Sequence, residues 1–424
     1  MKSSTSKPWR TCFSVFLILA LTCHCGDSTK DEEIPIRPTT TCDLAVVQSD
    51  YQSTTISILD HNGNLCADNV LNSGSAAPSL LTALSGDIVL PSSPHPDGKI
   101  VIIDRYPNSV LSIFNPETNQ VVSQLSVATG FASNPQDIAF LSKQRAYVSR
   151  AETNRHPTDS DHDFDDGGDV LIVNLQEQTI ESRIDLKPYA HSLNGTPLDP
   201  RPGQFAQGSK AIWLTLSNLS KDFKSAGPGT VISIDPQTDQ VQAHILIKAL
   251  TNCNHISVTP DKTGLWGSCM GLFSEGPEKQ KDSSGLFYID LTQDTPKVVW
   301  SISGRELLGQ IIGFGIASID SENAIFVSIG NPQDTNKSDR LFRINRNKTK
   351  PTYFSLEAET YSLGPPCFGT DNTLLVPVGS NTAPHIQRFK LNQEGEVIEQ
   401  AQVNSNPSVG LPPRLVQRFR KQKK

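Results

Sequence analysis

From residue 43 onward, short runs rich in β-branched and apolar residues alternate with clusters of Gly, Pro, Asn and Asp. That alternation predicts strands joined by tight turns and an all-β domain. One element recurs. A β run ending in an apolar residue followed by Asp or Asn appears as Ile58-Leu59-Asp60, Ile113-Phe114-Asn115, Ile172-Val173-Asn174 and Ser233-Ile234-Asp235, and again as Tyr288-Ile289-Asp290, Arg343-Ile344-Asn345 and Lys390-Leu391-Asn392. Successive Asp/Asn positions lie 55, 59, 61, 55, 55 and 47 residues apart. The Asp or Asn ends each strand because its short side chain bonds nearby backbone and starts the turn.

A second hairpin precedes these runs. Pro135–Phe140 leads through Ser142-Lys143-Gln144 to Arg145–Arg150, and Ile256–Val258 leads through Thr259–Thr263 to Leu265–Ser268. Four strands per unit, repeated seven times, predict a seven-bladed β-propeller of four-stranded antiparallel blades. A two-sheet sandwich uses similar strands but does not repeat in this way. Blade 1 holds only Leu44–Ser49, Thr55–Asp60 and Leu65–Val70, so it lacks an innermost strand. The segment from Asn406-Pro407 to Phe419 echoes that from Asn134-Pro135 to Phe140. Pro413–Phe419 is therefore expected to complete blade 1 and close the ring, which removes open sheet edges.

The stretch Ser109–Arg150 (SVLSIFNPETNQVVSQLSVATGFASNPQDIAFLSKQRAYVSR) resembles the YVTN-type propeller repeat of secreted and surface proteins, with Tyr147-Val148-Ser149-Arg150 at the position that names the family. The resemblance extends over residues 43–418, closest in blades 2 and 3. It implies a propeller, a scaffold role and an extracellular address, and no single chemistry.

The 424 residues carry 37 Lys+Arg and 44 Asp+Glu, a net charge of −7. The basic groups crowd at the ends. Between residues 26 and 410 there are 28 basic and 44 acidic groups, a net of −16. An acidic body excludes a nucleic-acid reader, which needs a basic footprint. Charged residues are 19% and Gly and Pro number 28 and 29, a balance that suits a turn-rich β protein.

The N-terminus reads as an address. Lys2, Lys7 and Arg10 precede the nine-residue apolar run Phe13–Leu21. The run is too short to span a bilayer and fits a secretory signal. Leu21-Thr22-Cys23-His24-Cys25-Gly26-Asp27-Ser28 resembles a bacterial lipoprotein signal, with Cys23 or Cys25 as the acylated residue. Ordinary cleavage after Cys25 is the competing reading. The expected organisation is a signal over 1–25, a flexible tether over 26–41, the propeller over 42–419 and a basic tail over 420–424. The expected location is the bacterial periplasm, outer membrane or cell surface, with membrane contact through the lipid.

Candidate chemistry gathers on one face. In an antiparallel blade, the loops before the first strand and between the second and third emerge together. They are long at 151–168, 219–229, 270–285 and 331–339, and the connection 187–202 lies beside them. Elaborated loops on a rigid scaffold mark a binding surface. Within one of them, Asp159, Asp161, Asp163, Asp165, Asp166 and Asp169 alternate with other residues near Gly167 and Gly168. Closely spaced hard oxygen ligands on a turning backbone suit calcium. The sixth position from Asp159 is Phe164, where an EF-hand loop has Gly. A solvated acidic loop and a transition-metal site using His156 and His162 are the other readings.

Export permits disulfides. Cys253 opens the first strand of blade 5 and Cys269 closes the second, so they are expected to pair. Cys42 and Cys66 are expected to pair at the opposite end of blade 1, leaving Cys367 as a buried thiol. An enzyme would place its groups where first strands meet the central channel, and His255, Asp137 and Arg414, with Gln204, stand there. One acid, one His and one Arg on separate blades make neither a metal cluster nor a nucleophile–base pair. No Gly-rich phosphate loop or G-x-S-x-G elbow occurs. The expected function is a non-enzymatic binding or scaffold protein that meets a protein or glycan at the envelope through the loops of blades 3–5. The alternative is a propeller enzyme, a lactonase-like hydrolase or quinoprotein-like oxidoreductase, with its site in the channel.

Overall fold

A computed structural model describes residues 42–77, 79–156, 163–331, 337–348, 350–369 and 372–420. The signal segment, the tether and the end of the basic tail lie outside the described residues.

Seven four-stranded antiparallel sheets form a ring. In blades 2–7 the four strands follow chain order, as in blade 5: Cys253–Val258, Gly264–Met270, Ser284–Asp290 and Lys297–Ser303. Blade 1 is the exception. Its inner strand is Pro413–Arg418, which pairs with Cys42–Ser49 through Leu44 opposite Arg418 and Val46 opposite Val416. The C-terminus thus supplies the strand that blade 1 lacks, as its sequence pattern predicts.

The core is divided seven ways, with one apolar cluster between each pair of neighbouring blades. Blades 1 and 2 share Val47, Ile56, Ile100 and Phe114, and blades 7 and 1 share Leu44, Val46, Leu375 and Val416. Both faces of each middle strand are therefore buried, which explains continuous runs such as Ile100–Asp104 rather than polar alternation. Tyr147 is one of these core residues.

Buried carboxylates fasten the connections. Asp104 accepts from Ser85 N and Oγ, and Asp339 accepts from the backbone N–H groups of Gly330, Ser362 and Leu363. Neither is more than 2% exposed, and burial raises both above the usual carboxylate range.

The face with the second-to-third and blade-to-blade connections, here the upper face, carries more regular structure than the alternation predicts. The 270–285 loop contains a 3-10 turn, Phe273–Glu275, and a short helix, Pro277–Ser283. A second helix, Gly304–Leu308, starts at a capping box in which Ser303 Oγ accepts from Glu306 N and Glu306 reaches back to Ser303 N. These segments are too short and too polar to leave a helical period in the sequence. Arg420 lies 5.3 Å over Phe419 and reaches Glu117 at 3.4 Å, so the first residue of the basic tail packs on the ring.

Candidate functional site

The two faces of the ring differ in what their loops expose. Eight exposed large apolar side chains sit on upper-face connections: Tyr51, Leu81, Tyr106, Leu193, Phe223, Phe273, Tyr361 and Val409. Among the described residues, the lower-face connections expose none. Single exposed apolar residues are ordinary, but a one-sided distribution marks an interaction surface.

Part of this surface is contiguous. The Arg201 guanidinium lies 4.0 Å over the Phe223 ring. The next residue, Lys224, accepts at its carbonyl from Ser274 Oγ at 3.3 Å, which ties the blade 4 loop to that of blade 5. Phe273, beside Ser274, stacks on Tyr361 with centroids 5.9 Å apart and planes 28° apart. The result is an aromatic ridge from blade 4 across blade 5 to the connection between blades 6 and 7. Met270, Ile311 and Ile329 form a small apolar cluster where blades 5 and 6 meet this face. Arg201 is 5% exposed and is held by Glu152 at 2.7 Å. The sequence singled out the loops of blades 4 and 5 and the 187–202 connection by their length, but not the connection that carries Tyr361. Aromatic residues inside otherwise polar loops were the signal that could have located the ridge.

The channel brings the other candidates to the inner strands but does not assemble them. Asp137 is 2% exposed. Its oxygens accept from the backbone N–H groups of Ser92, Ile138 and Phe205, each at 2.8 Å, so it fastens blades 2, 3 and 4 together. Burial pushes its carboxyl up to about 6 against those three donors. Gln204 Oε1 accepts from Ile256 N at 3.1 Å and fastens blade 4 to blade 5. His255 lines the channel beside Phe314, with ring centroids 5.6 Å apart. Burial and the nearby Arg105 push its pKa down to about 4, so the ring is neutral at pH 7. Arg105 is itself held by Asp87 and donates to Gln136 at 3.3 Å. Arg414 stands at the start of the closing strand, with Nε donating to Ser49 O at 2.9 Å.

The channel has a volume of about 410 Å³. Gln204, Ser257, Ser318 and Gln417 line it with apolar neighbours, and among the described residues its only ionisable side chains are His255 and Cys367. Cys367 is a free buried thiol whose pKa burial pushes up to about 11, which makes it a poor nucleophile.

Of the six acidic-loop carboxylates, Asp159 and Asp161 lie outside the described residues, as does His162. Asp169 is wholly buried and paired with Arg150. Asp166 is paired with Arg183 at 2.7 Å and Lys187 at 3.0 Å, and Lys187 above all holds its carboxyl below the usual range. These two are neutralised by side chains. Among the described residues, no three His, Cys, Asp or Glu groups are arranged to hold a metal ion.

Both expected disulfides form. Cys42 bonds Cys66 and Cys253 bonds Cys269. The second joins register partners on adjacent strands, and its sulfur leaves no room for a Cβ at Gly229. Two disulfides suit an oxidising, exported location. No helix among the described residues is long and apolar enough to cross a membrane.

No known protein family matches the chain, and no curated protein matches it. Solved structures do. A Lactobacillus plantarum protein superposes with a TM-score of 0.55 at 10% identity, over 90% of this chain and 100% of its own. A Bacteroides uniformis protein provisionally named a 6-phosphogluconolactonase gives 0.54 at 12% identity, over 90% and 100%. The periplasmic gluconolactonase PpgL of Pseudomonas aeruginosa gives 0.53 at 10%, over 89% and 99%. The chain is a β-propeller. At these identities the likeness is one of fold alone.

Proposed function

We propose that this propeller is an exported, envelope-associated scaffold of the YVTN type that binds a protein or glycan without chemical turnover. Its binding face is the upper face, where the long loops of blades 3–5 lead into the aromatic ridge. The observation that carries this reading is the placement of eight exposed apolar side chains on upper-face connections and none on lower ones. Aromatic rings backed by arginine are the groups that supply most of the energy in binding surfaces. An acyl chain on Cys23 or Cys25 would hold the ring at a membrane, and stable anchoring would need more than one chain.

The enzymatic alternative draws on the lactonase names of two structures that share the fold. The channel offers it little. His255 has no carboxylate partner in the lining, Asp137 is committed to three backbone amides, and Cys367 is a protonated thiol.

The test compares wild type with Phe223→Ser/Phe273→Ser/Tyr361→Ser, Leu65→Ser and His255→Ala for capture of envelope proteins and of defined glycans. The triple variant is expected to lose capture while the other two retain it. Sugar-lactone hydrolysis that disappears in His255→Ala and survives in the triple variant would replace this reading with the enzymatic one.

A further inference from the structure

The central cavity has hydrogen-bonding capacity that the ring itself does not use. Its lining runs down to Gln207, Val258, Ser318 and Phe368, the last residues of the inner strands of blades 4–7, so it lies in the lower half of the channel. The first loop of blade 2 completes the wall with Ser92, Ser93 and Pro94. Ser92 fixes that loop across blade 3, because its N–H donates to Asp137 at 2.8 Å and its Oγ to Phe205 O at 2.9 Å. The wall is thus held by rigid strands and a fastened loop.

Several polar groups in the wall are uncommitted. Among the described residues, the side chains of Gln207, Gln417 and His255 enter no hydrogen bond within the protein. Gln204 spends its Oε1 on Ile256 N at 3.1 Å and keeps its Nε2 hydrogens. Ser257 Oγ accepts from Ser318 N at 3.1 Å and keeps its own proton. Between these groups lies apolar surface from Leu90, Pro94, Ile316, Pro365 and Leu415. Among the described residues the wall holds no Asp, Glu, Lys or Arg, and His255 and Cys367 are both uncharged at pH 7. A bulge braces the His255 ring. The inner strand of blade 6 shifts register between Ile312 and Ile316, and Gly315 adopts φ 93°, where a Cβ would lie 2.7 Å from Pro365 Cα. Phe314, between them, is 40% exposed and meets His255 with ring centroids 5.6 Å apart. Bulges that re-aim a side chain are common beside functional sites.

We propose that this cavity binds an uncharged N-acetylated sugar, whose acetamido group meets the glutamine carboxamides. A wall without charged partners cannot compensate an ion for its lost hydration, which selects a neutral ligand. Each carboxamide offers both a donor and an acceptor, the complement of an acetamido C=O and N–H. Ser257 and His255 add partners for hydroxyl groups, and the proline and leucine surface suits the acetyl methyl. The volume of about 410 Å³ suits a small molecule. The cavity is separate from the aromatic ridge and stands whether or not the ridge binds a partner.

Calorimetric titration of the purified protein with N-acetyl-D-glucosamine and N-acetyl-D-galactosamine tests this. D-glucose, which lacks the acetamido group, and D-glucosamine, which carries a charged amine, are the comparison arms. Saturable binding of at least one N-acetylated sugar is expected, with both comparison sugars at least about tenfold weaker. Gln207→Leu/Gln417→Leu removes no side-chain hydrogen bond among the described residues, so the ring should fold, and binding should weaken about tenfold or more. His255→Leu should weaken it several-fold. Phe223→Ser/Phe273→Ser/Tyr361→Ser should leave it unchanged. No saturable binding to wild type overturns the proposal. So does binding that both channel variants leave unchanged, or that the ridge variant abolishes. Comparison sugars that bind as tightly overturn the assignment to an uncharged N-acetylated sugar.

Discussion

Arg150 and Asp169 are register partners on adjacent strands of blade 3, and their ion pair is closed off from water. Nε and Nη2 of Arg150 donate to the two Asp169 oxygens at 2.8 and 2.7 Å, and neither side chain has exposed surface. The guanidinium also donates to Val127 O, Thr129 Oγ1 and Phe164 O, so it fastens the acidic loop to the blade 2–3 connection. Removing Asp169 strands the Arg150 charge, and removing Arg150 leaves Asp169 with the more distant Arg183, at 3.7 Å. Asp169→Ala or Arg150→Leu should each lose about 3–5 kcal/mol of stability in urea unfolding, and the double change should recover a substantial part.

Reduction of the Cys253–Cys269 bridge should loosen the upper face locally. The cysteines are 16 residues apart, and the loop they close contributes about 3 kcal/mol in the chain-entropy description. Cys253→Ser/Cys269→Ser should lower the thermal midpoint by several degrees. Faster amide hydrogen exchange is expected in 270–285, with blades 1 and 2 unchanged.

Acid should destabilise the ring through His95. The side chain is 4% exposed, packs edge-on against Phe140 at 5.0 Å, and accepts at Nδ1 from Asp97 N. Burial, then Lys99, pushes its pKa down from 6.5 to about 4. The unfolded chain therefore takes up this proton first as pH falls. The stabilising contribution is whole above pH 6.5 and is lost on the way to about pH 4, a change of about 3 kcal/mol. Asp137 acts in the opposite sense. Its carboxyl is raised to about 6, so its contribution is whole below the unfolded value of 3.8 and declines as pH rises through 6. Unfolding followed from pH 7 to pH 4.5 should show a smaller acid loss in His95→Gln than in wild type, and a larger one in Asp137→Asn.

Calcium should shift the melting midpoint only if the acidic loop binds it. With Asp166 and Asp169 committed to basic side chains, a site would draw on Asp159, Asp161 and Asp163. The expected outcome for a bound ion is a rise in midpoint with millimolar Ca²⁺ that EDTA reverses and Asp161→Asn/Asp163→Asn abolishes. An unchanged midpoint would leave a solvated acidic loop.

The architecture was legible because a propeller writes itself into the chain as a repeated phrase. Asp60 and its six counterparts end equivalent strands, and the echo between Asn134-Pro135 and Asn406-Pro407 located the closing strand. Cysteine positions along predicted strands were enough to pair Cys42 with Cys66 and Cys253 with Cys269. The site was less legible, because it depends on contacts between distant loops. Nothing in the order of residues joins Phe273 to Tyr361 or His255 to Phe314. Asp137 and Asp169 read as candidate ligands or acids because sequence gives their type and place but not their burial. In the fold one serves three backbone amides and the other an arginine.

The pairing of Val46 with Val416 also sets an order of events. Synthesis delivers Cys42–Ser49 long before Pro413–Arg418. Until then blade 1 keeps an unpaired inner edge, and the apolar cluster it shares with blade 7 has no second wall. The growing chain must remain an incomplete crescent, with a sticky seam at each end, until Pro413–Arg418 has been made. Truncation after Gly410 would freeze it in that state. Such a product should be found in aggregates or bound to chaperones rather than as a slightly shortened ring.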